Sequence, residues 1–139
     1  MKIQTIMTRD VKVAAPDDDL QTAATMMEQS DFGALLVVDG DYLVGILSDR
    51  DITIRAVARG LSPDRVKVRD VMTTDVKYVY EDESIEDIGV HMSELQVRRM
   101  PVLSRDRRLV GIVSLGDLAV NRPKSAGDAL SWISQPVLH

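Results

Sequence analysis

The distribution of apolar and polar residues along the chain predicts two similar sets of strands and helices. Apolar runs of strand length occupy residues 34–38, 43–47, 100–103 and 109–113, and polar turns separate them. Two other segments carry apolar residues at i, i+3, i+4 and i+7, the spacing of an amphipathic helix. Their stripes consist of Leu20, Ala23, Ala24 and Met27 in the first half and of Ile85, Ile88, Gly89 and Met92 in the second.

Each half is therefore predicted to fold as β-α-β-β-α. A short strand at 11–14 or 76–79 precedes the amphipathic helix, and an acidic turn (PDDD or EDES) supplies carboxylates that favour a helix N-terminus. A second helix is predicted from Asp49 or Leu115, and in the first half we expect it to end at Gly60, since glycine often follows a helix.

Two sequence repeats show that the chain is a tandem duplication. Residues 7–12 (MTRDVK) recur 65 positions later as MTTDVK, and residues 43–51 (LVGILSDRD) recur 66 positions later as LVGIVSLGD. Each half is too small to bury a comfortable core alone. We therefore predict a mixed α/β (α+β) fold in which two β-α-β-β-α motifs pack sheet to sheet with pseudo-twofold symmetry.

The predicted domains are a first motif at 1–62, a second motif at 63–122 and a separate tail at 123–139. In the tail an apolar stripe predicts a short amphipathic helix carrying Trp132. That helix covers the core of its own chain or docks on a second subunit, and the sequence leaves both possibilities open. The stripe consists of Ala126, Ala129, Leu130 and Ile133.

Composition and charge exclude several classes of function. The 17 basic and 22 acidic residues give a net charge of −5, which argues against a general nucleic-acid binder. The absence of cysteine excludes disulfides, zinc–thiolate sites and a cysteine nucleophile, and two histidines are too few for a multi-histidine metal site. With no signal peptide and no membrane-length apolar run, we expect a soluble, cytoplasmic protein without membrane contacts.

The repeated segment Gly–apolar–apolar–Ser–x–x–Asp carries the functional information. It places Ser48 and Asp51, and likewise Ser114 and Asp117, where a strand ends and a helix begins. The plain interpretation is a capping box, in which serine and the acid satisfy backbone donors. The alternative is a nucleotide site, with phosphate at the helix N-terminus and the carboxylate on a ribose diol. The two are compatible, and spacing alone leaves the choice open.

The chain resembles a tandem pair of CBS domains, the cystathionine-β-synthase-type motifs whose pairs form a Bateman module. The resemblance covers about residues 3–122 and rests on the duplicated Met-Thr-x-Asp-Val segment, on residues 98–102 (RRMPV) and on residues 111–117 (GIVSLGD). One departure is Leu36, where the family usually has the proline that Pro101 supplies in the second half. The resemblance implies a protein that binds AMP, ADP, ATP, S-adenosylmethionine or NAD and commonly dimerises.

The resemblance also implies two nucleotide clefts, each built from both motifs. Asp51 and Asp117 are expected to hold ribose hydroxyls, Ser48 and Ser114 to touch phosphate or ribose, and strand backbone to contact adenine. One cleft combines Ser48, Arg50 and Asp51 with Thr73, Val76, Lys77, Val97, Arg98 and Arg99. The other combines Ser114, Gly116 and Asp117 with Thr8, Val11, Lys12, Phe32, Gly33 and Ala34.

The two clefts differ in charge. Arg50, Arg98 and Arg99 suit phosphate recognition, so we expect the Asp51 cleft to bind the phosphorylated ligand more tightly. The alternative role for Arg98 and Arg99 is surface solubility or an ion pair with the acidic turns. The sequence contains no Gly-x-Ser-x-Gly elbow, P-loop or His-Glu-x-x-His motif, so we expect neither catalysis nor a metal site.

The predicted function is a stand-alone regulatory module with no required cofactor. It binds an adenine nucleotide (AMP, ADP, ATP or NAD) and signals to a partner protein in trans through dimer or cleft conformation. Such signalling requires that the ligand bind one conformation better than another. The alternative is a ligand-independent dimeric interaction protein whose clefts stay empty.

Overall fold

The structure is a computed structural model that describes residues 1–30, 33–121 and 133. Contacts between residues divide the chain into two compact units. The first unit is Lys12–Val76, and the second combines Met1–Val11 with Lys77–His139. Each unit contains one three-stranded sheet, which confirms the mixed α+β class predicted from the apolar pattern.

The first unit contains a sheet in the order β1-β2-β3, with β1 parallel to β2 and β2 antiparallel to β3. Helix α1 connects β1 to β2, and α2 follows β3 directly. The elements are β1 (Val13–Ala14), α1 (Leu20–Ser30), β2 (Ala34–Asp39), β3 (Tyr42–Ser48), α2 (Asp49–Arg55), a 3-10 turn (Val57–Arg59) and α3 (Val68–Val71).

The second unit repeats this arrangement with a sheet in the order β4-β5-β6. Its elements are a 3-10 turn (Ile3–Thr5), β4 (Val79–Tyr80), α4 (Ile85–Leu95), β5 (Arg99–Leu103), β6 (Leu109–Ser114) and α5 (Leu115–Asn121). The short helices at Ile3–Thr5 and Val68–Val71 were not predicted, because three or four residues are too few to show a periodic pattern.

The segment that opens each sequence repeat belongs to the unit built from the other repeat. Thr8 pairs with Ile112 of β6, and Thr73 pairs with Ile46 of β3, each as an isolated antiparallel bridge. Each compact unit therefore contains most of one sequence repeat together with the opening segment of the other repeat. The domain limits at residues 62 and 122 stay predictions.

Each unit has its own core, which consists of aliphatic and methionine side chains. Leu20, Val37, Leu47 and Val68 are fully buried in the first unit. The core of the second unit includes Ile3, Ile85, Ile88, Met92, Val113 and Leu118, all fully buried. Both short helices therefore contribute a buried aliphatic residue to the core of their unit.

The helical stripes are confirmed except at one position. All four predicted residues of α4 are buried, and so are Leu20, Ala23 and Met27 of α1. Ala24 is exposed, so its assignment to the core was wrong. Ala24 lies at the edge of a stripe whose centre contacts the sheet, and leaving its single methyl group in water costs little free energy.

Three predicted boundaries also differ from the structure. The strands expected at 11–14 and 76–79 begin at Val13 and Val79. Helix α2 ends at Arg55, where Ala56 leaves helical geometry (φ −120°, ψ −63°), and Gly60 closes the following 3-10 turn with φ +71°. The tail prediction lies outside the described residues apart from Ile133, a half-buried helical residue that packs against the core of the second unit.

Candidate functional site

The glycine of the Gly–apolar–apolar–Ser motif is required because another segment crosses directly over it. A Cβ atom on Gly45 would lie 2.7 Å from Met72 Sδ and 2.9 Å from the Thr73 carbonyl oxygen. Gly111 is equally crowded in the second unit, 2.7 Å from the Thr8 carbonyl oxygen. The two repeated motifs are therefore in contact with each other within each unit.

Two backbone hydrogen bonds fix each crossing. In the first unit the Ile46 N–H donates to the Thr73 carbonyl (2.9 Å), and the Thr73 N–H donates back to the Ile46 carbonyl (2.8 Å). In the second unit the same reciprocal pair joins Thr8 and Ile112 at 2.8 and 2.9 Å. The threonine of each Met-Thr segment is thus fixed beside the strand that ends at the motif serine.

The motif serine and aspartate form a reciprocal capping box in both units. The Ser48 N–H donates to Asp51 Oδ2 (2.9 Å), and the Asp51 N–H donates to Ser48 Oγ (3.0 Å). In the second unit the Ser114 N–H donates to Asp117 Oδ2 at 2.8 Å, and the Asp117 N–H donates to Ser114 Oγ at 3.2 Å. The capping interpretation is confirmed, and it holds each carboxylate in one orientation.

The capping box leaves defined groups of Ser48 and Asp51 for further interactions. The serine hydroxyl accepts in the box and keeps its own proton to donate. Asp51 uses Oδ2 in the box, and its Oδ1 lies 4.0 Å from Arg55 Nε, which exceeds hydrogen-bond length. The Asp51 side chain is 14% exposed, so the carboxylate is only partly enclosed by the protein.

The first residues of β2 and β5 reach the same end of the sheet as the capping boxes. Ala34 pairs with Ser48, and the Asp49 N–H donates to the Gly33 carbonyl at 2.8 Å. In the second unit Arg99 pairs with Ser114, and the Leu115 N–H donates to the Arg98 carbonyl at 3.0 Å. A Cβ atom on Gly33 would lie 2.6 Å from Asp49 Oδ2, a contact that the exposed aspartate side chain can relieve by rotating.

Within the units, the structure brings together only part of each predicted cleft. The first unit holds Ser48, Arg50, Asp51, Thr73 and Val76 of one cleft together with Lys12, Gly33 and Ala34 of the other. The second unit holds Ser114, Gly116, Asp117, Thr8 and Val11 together with Lys77, Val97, Arg98 and Arg99. Phe32 lies outside the described residues. The combination of residues from both units stays a prediction.

The predicted phosphate-binding cations are exposed in their units. Neither Arg50 nor Arg98 has a side-chain hydrogen bond or ion pair with any described residue, and Arg99 is also exposed. Val97 is half-buried against the second core, where its N–H donates to the Met92 carbonyl. Its backbone is thus fixed directly before the two arginines.

Arg55 is a residue of this region that the sequence analysis missed. Its Nη1 donates to the carbonyl oxygens of Val71 (3.0 Å) and Met72 (3.2 Å), directly before Thr73. The available indication was its position four residues after Asp51, a spacing that brings side chains together on one helical face.

Asp17 and Asp19 of the acidic turn before α1 both have hydrogen-bond partners in the first unit. Asp19 Oδ1 accepts from the Thr22 N–H at 2.7 Å and caps α1, as predicted. Asp17 pairs with Arg69 and with Lys67, and the hydrogen bond from Arg69 lowers the pKa of its carboxyl despite a small opposing desolvation. Among the described residues, no group of three or more potential metal ligands comes together.

Two arginines of the turn between β5 and β6 contact side chains in and beside β4. Arg105 Nε donates to both carboxylate oxygens of Asp82 (2.9 and 3.1 Å), and its guanidinium stacks 4.2 Å from the centre of the Tyr80 ring. Arg107 Nη2 donates to the Tyr78 hydroxyl at 2.7 Å. Hydrogen bonding by Tyr80, and then by Arg107, lowers the pKa of the Tyr78 phenol.

In the part of the chain that the structure describes, no helix combines the length and apolar character needed to cross a membrane.

The CBS domain matches the chain twice, at residues 3–57 and 68–122. The CBS domain-containing protein YhcV of Bacillus subtilis is 40% identical over 139 residues, covering 99% of this chain and 98% of YhcV.

Two solved structures show the same architecture. Hypoxic Response Protein I, crystallised with two coordinated zinc ions, is 38% identical with a TM-score of 0.76, over 88% of this chain and 100% of that one. The CBS domain pair of protein MJ0100, in complex with 5'-methylthioadenosine and S-adenosyl-L-methionine, is 26% identical with a TM-score of 0.69. That match covers 87% of this chain and 98% of the MJ0100 pair.

Proposed function

Because the chain belongs to the CBS-domain family and contains two copies of that domain, we propose that it is a regulatory module that binds an adenine nucleotide. The ligand class is AMP, ADP, ATP or NAD, and the output acts on a partner protein in trans. The observation that carries the proposal is the repeated capping box, which orients a serine hydroxyl and an aspartate oxygen beside the crossing Met-Thr segment.

The geometry of the Asp51 box supports recognition of a ribose. The vicinal hydroxyls of a ribose are donors, and Asp51 Oδ1 is an acceptor that the box leaves available. The Ser48 hydroxyl proton supplies a donor for a phosphate or ribose oxygen. The backbone of Thr73 and Val76, together with Lys77 and Val97 of the second unit, contributes the adenine-facing part of this cleft.

The charge of the two clefts distinguishes their ligands. Arg50, Arg98 and Arg99 form the phosphate-binding part of the Asp51 cleft, where guanidinium groups make charge-assisted hydrogen bonds. The Asp117 cleft has small residues at the matching positions. Its members are Ser114, Gly116 and Asp117 with Thr8, Val11, Lys12, Phe32, Gly33 and Ala34. This cleft accommodates the ligand with less charge.

Comparison with MJ0100 supports the adenosine part of the proposed ligand, because both compounds bound to that CBS pair contain adenosine. We propose no equivalent in this chain of the zinc ions coordinated by Hypoxic Response Protein I. The chain lacks cysteine, and its described residues form no cluster of three metal ligands. We propose no catalytic role, because the sequence contains no Gly-x-Ser-x-Gly elbow, P-loop or His-Glu-x-x-His motif.

A homodimer would supply the conformational output. Helices of both units expose aliphatic side chains to solvent, among them Val57 beside α2 (60% exposed) and Val120 on α5 (83% exposed). A second copy that covers these residues removes apolar surface from water. Nucleotide binding then signals by favouring one dimer or cleft conformation over another.

The test is thermal unfolding with AMP, ADP, ATP, NAD and S-adenosylmethionine. A ligand at about 100 times its dissociation constant adds about 2.7 kcal/mol, or about 5–10 °C in Tm at this chain length. Asp51→Asn keeps an oxygen for the Ser48 N–H but replaces Oδ1 with an amide NH2 donor, so binding weakens and the shift at the same ligand concentration is expected to fall well below the wild-type value. Asp70→Asn is the matched control, because Asp70 accepts from the Lys67 N–H in the first turn of α3.

The second candidate is a ligand-independent dimeric interaction protein, favoured by the exposed aliphatic residues on the helices. This second candidate requires that none of the five ligands shift Tm and that Asp51→Asn leave the dimer unchanged.

Asp117→Asn tests which cleft binds the ligand. A Tm shift that survives Asp51→Asn but disappears with Asp117→Asn would place the ligand in the cleft with less charge.

A further inference from the structure

We infer that Arg55 is a positioning residue of the Asp51 site, which couples the Asp51 carboxylate to the segment that carries Thr73. The identity of the site rests on the proposed function. The contacts themselves lie within the first unit and join α2 to the end of α3.

One side of the Arg55 guanidinium holds the end of α3. A helix leaves its last carbonyl groups without internal partners, and Val71 and Met72 carry such carbonyls. Arg55 Nη1 donates to both of them, at 3.0 and 3.2 Å. Arginine therefore fixes the point from which the chain leaves α3 and crosses Gly45.

The other side of the guanidinium faces the carboxylate. Arg55 Nε lies 4.0 Å from Asp51 Oδ1, close enough for charge attraction and too far for a hydrogen bond. The capping box already occupies Asp51 Oδ2. A ribose hydroxyl on Oδ1 thus binds the oxygen that faces Arg55, and any shift of this carboxylate acts directly on the arginine.

The same arginine connects this carboxylate to the neighbouring ligand-binding segment. Thr73 follows the two carbonyls that Arg55 holds and is paired with Ile46 by two backbone hydrogen bonds. Asp51, Arg55 and Thr73 are therefore one contiguous set of contacts, the kind of physical network through which coupling travels. Beyond Thr73 the chain continues into the second unit.

The repeats differ at this position. The offset that aligns Asp51 with Asp117 aligns Arg55 with Asn121, which is shorter and uncharged. Arg55→Asn therefore gives the Asp51 site the residue of the other repeat. Arg59→Asn is the control, since the exposed Arg59 side chain has no hydrogen bond or ion pair with a described residue.

The first measurement is amide hydrogen exchange without ligand. Loss of the two carbonyl contacts in Arg55→Asn is expected to accelerate exchange of the Thr73 and Ile46 amides about tenfold, about 1.4 kcal/mol. Arg59→Asn leaves these amides at the wild-type rate. Unchanged exchange at Thr73 and Ile46 in Arg55→Asn would overturn the inference.

The second measurement is AMP affinity by calorimetry in a double-mutant cycle. Arg55→Asn is expected to weaken binding about tenfold in the wild-type background and less than about twofold in Asp51→Asn. Arg55→Lys retains part of the affinity, because the ammonium keeps the charge without the planar donor set. A purely structural role predicts equal losses in both backgrounds, which would refute the coupling.

The two proposals fail separately. If wild-type protein binds none of the five ligands, the proposed function is wrong, while faster exchange at Thr73 in Arg55→Asn still supports the positioning of the crossing segment. If wild-type protein binds AMP and Arg55→Asn binds it equally well, the proposed function stands and the role of Arg55 is refuted.

Discussion

Gly45→Ala tests whether the crossing of the Met-Thr segment over β3 determines the stability of the first unit. The added Cβ would lie 2.7 Å from Met72 Sδ and 2.9 Å from the Thr73 carbonyl oxygen. The methionine side chain can rotate away, but the carbonyl is backbone and accepts from the Ile46 N–H. Relief of the overlap therefore requires that the crossing segment move away from the strand.

The cost follows from the contacts that this movement breaks. Two backbone hydrogen bonds join Ile46 and Thr73, each with a net contribution of about 0.5–1.5 kcal/mol. Overpacking by a methyl group adds about 1–3 kcal/mol, and the reduced entropy of the unfolded chain returns about 0.4–1 kcal/mol. Together these contributions give a loss of about 1–6 kcal/mol, and the midpoint of about 3 kcal/mol corresponds to about 6–12 °C in Tm.

Thermal and urea unfolding of Gly45→Ala measure this loss, with Gly116→Ala as the control. A Cβ on Gly116 would lie 3.4 Å from Ser114 Oγ, an ordinary contact, and alanine is the better helix former by about 1 kcal/mol. Gly111→Ala is expected to match Gly45→Ala, since its crossing is equally close. A Gly45→Ala protein with a wild-type Tm would refute the reasoning.

Three further outcomes are expected. Ile3→Ala removes a fully buried side chain from the second core and is expected to cost about 2–5 kcal/mol in urea unfolding, whereas Met1→Ala, at an exposed position, changes little. The pKa of Asp17 is lowered in the folded protein by its hydrogen bond from Arg69, so its contribution to stability is complete above the unfolded value of 3.8 and is lost as pH falls toward the folded pKa. Tm measured between about pH 5 and pH 2 is therefore expected to fall less steeply for Asp17→Asn than for wild type, and equal slopes would contradict this assignment. Val120→Lys places a charge on an exposed aliphatic position and is expected to shift the sedimentation of the proposed dimer toward monomer, and an unchanged dimer would exclude Val120 from the interface.

Local patterns in the sequence predicted most of the strands and helices and both capping boxes. The Ser-x-x-Asp spacing predicted both capping boxes, because the two residues contact each other across a single helical turn. The apolar spacing likewise predicted α1 and α4 with one error, at Ala24. Such features depend on residues a few positions apart, which is the range over which a sequence pattern is informative.

The contacts that complete the site could not be predicted in the same way. The bridge between Ile46 and Thr73 is made by backbone atoms, which are the same in every residue, so it leaves no pattern of its own in the sequence. Gly45 is the one trace of this crossing, and it was interpreted only as part of a motif. Arg55 reaches carbonyl oxygens 16 and 17 residues away, a distance that no helical periodicity covers.

By itself, the sequence determined the duplication, the order of the strands and longer helices in each repeat and the two capping boxes, since these follow from composition and short-range spacing. Only the tertiary structure decided that residues 1–11 join the unit of the second repeat and that Thr73 lies beside Ile46. The reason is that an exposed strand edge pairs through backbone atoms, so it can pair with any segment that the fold brings beside it. At these crossings the side chains influence which segment pairs only because a glycine leaves space for close approach.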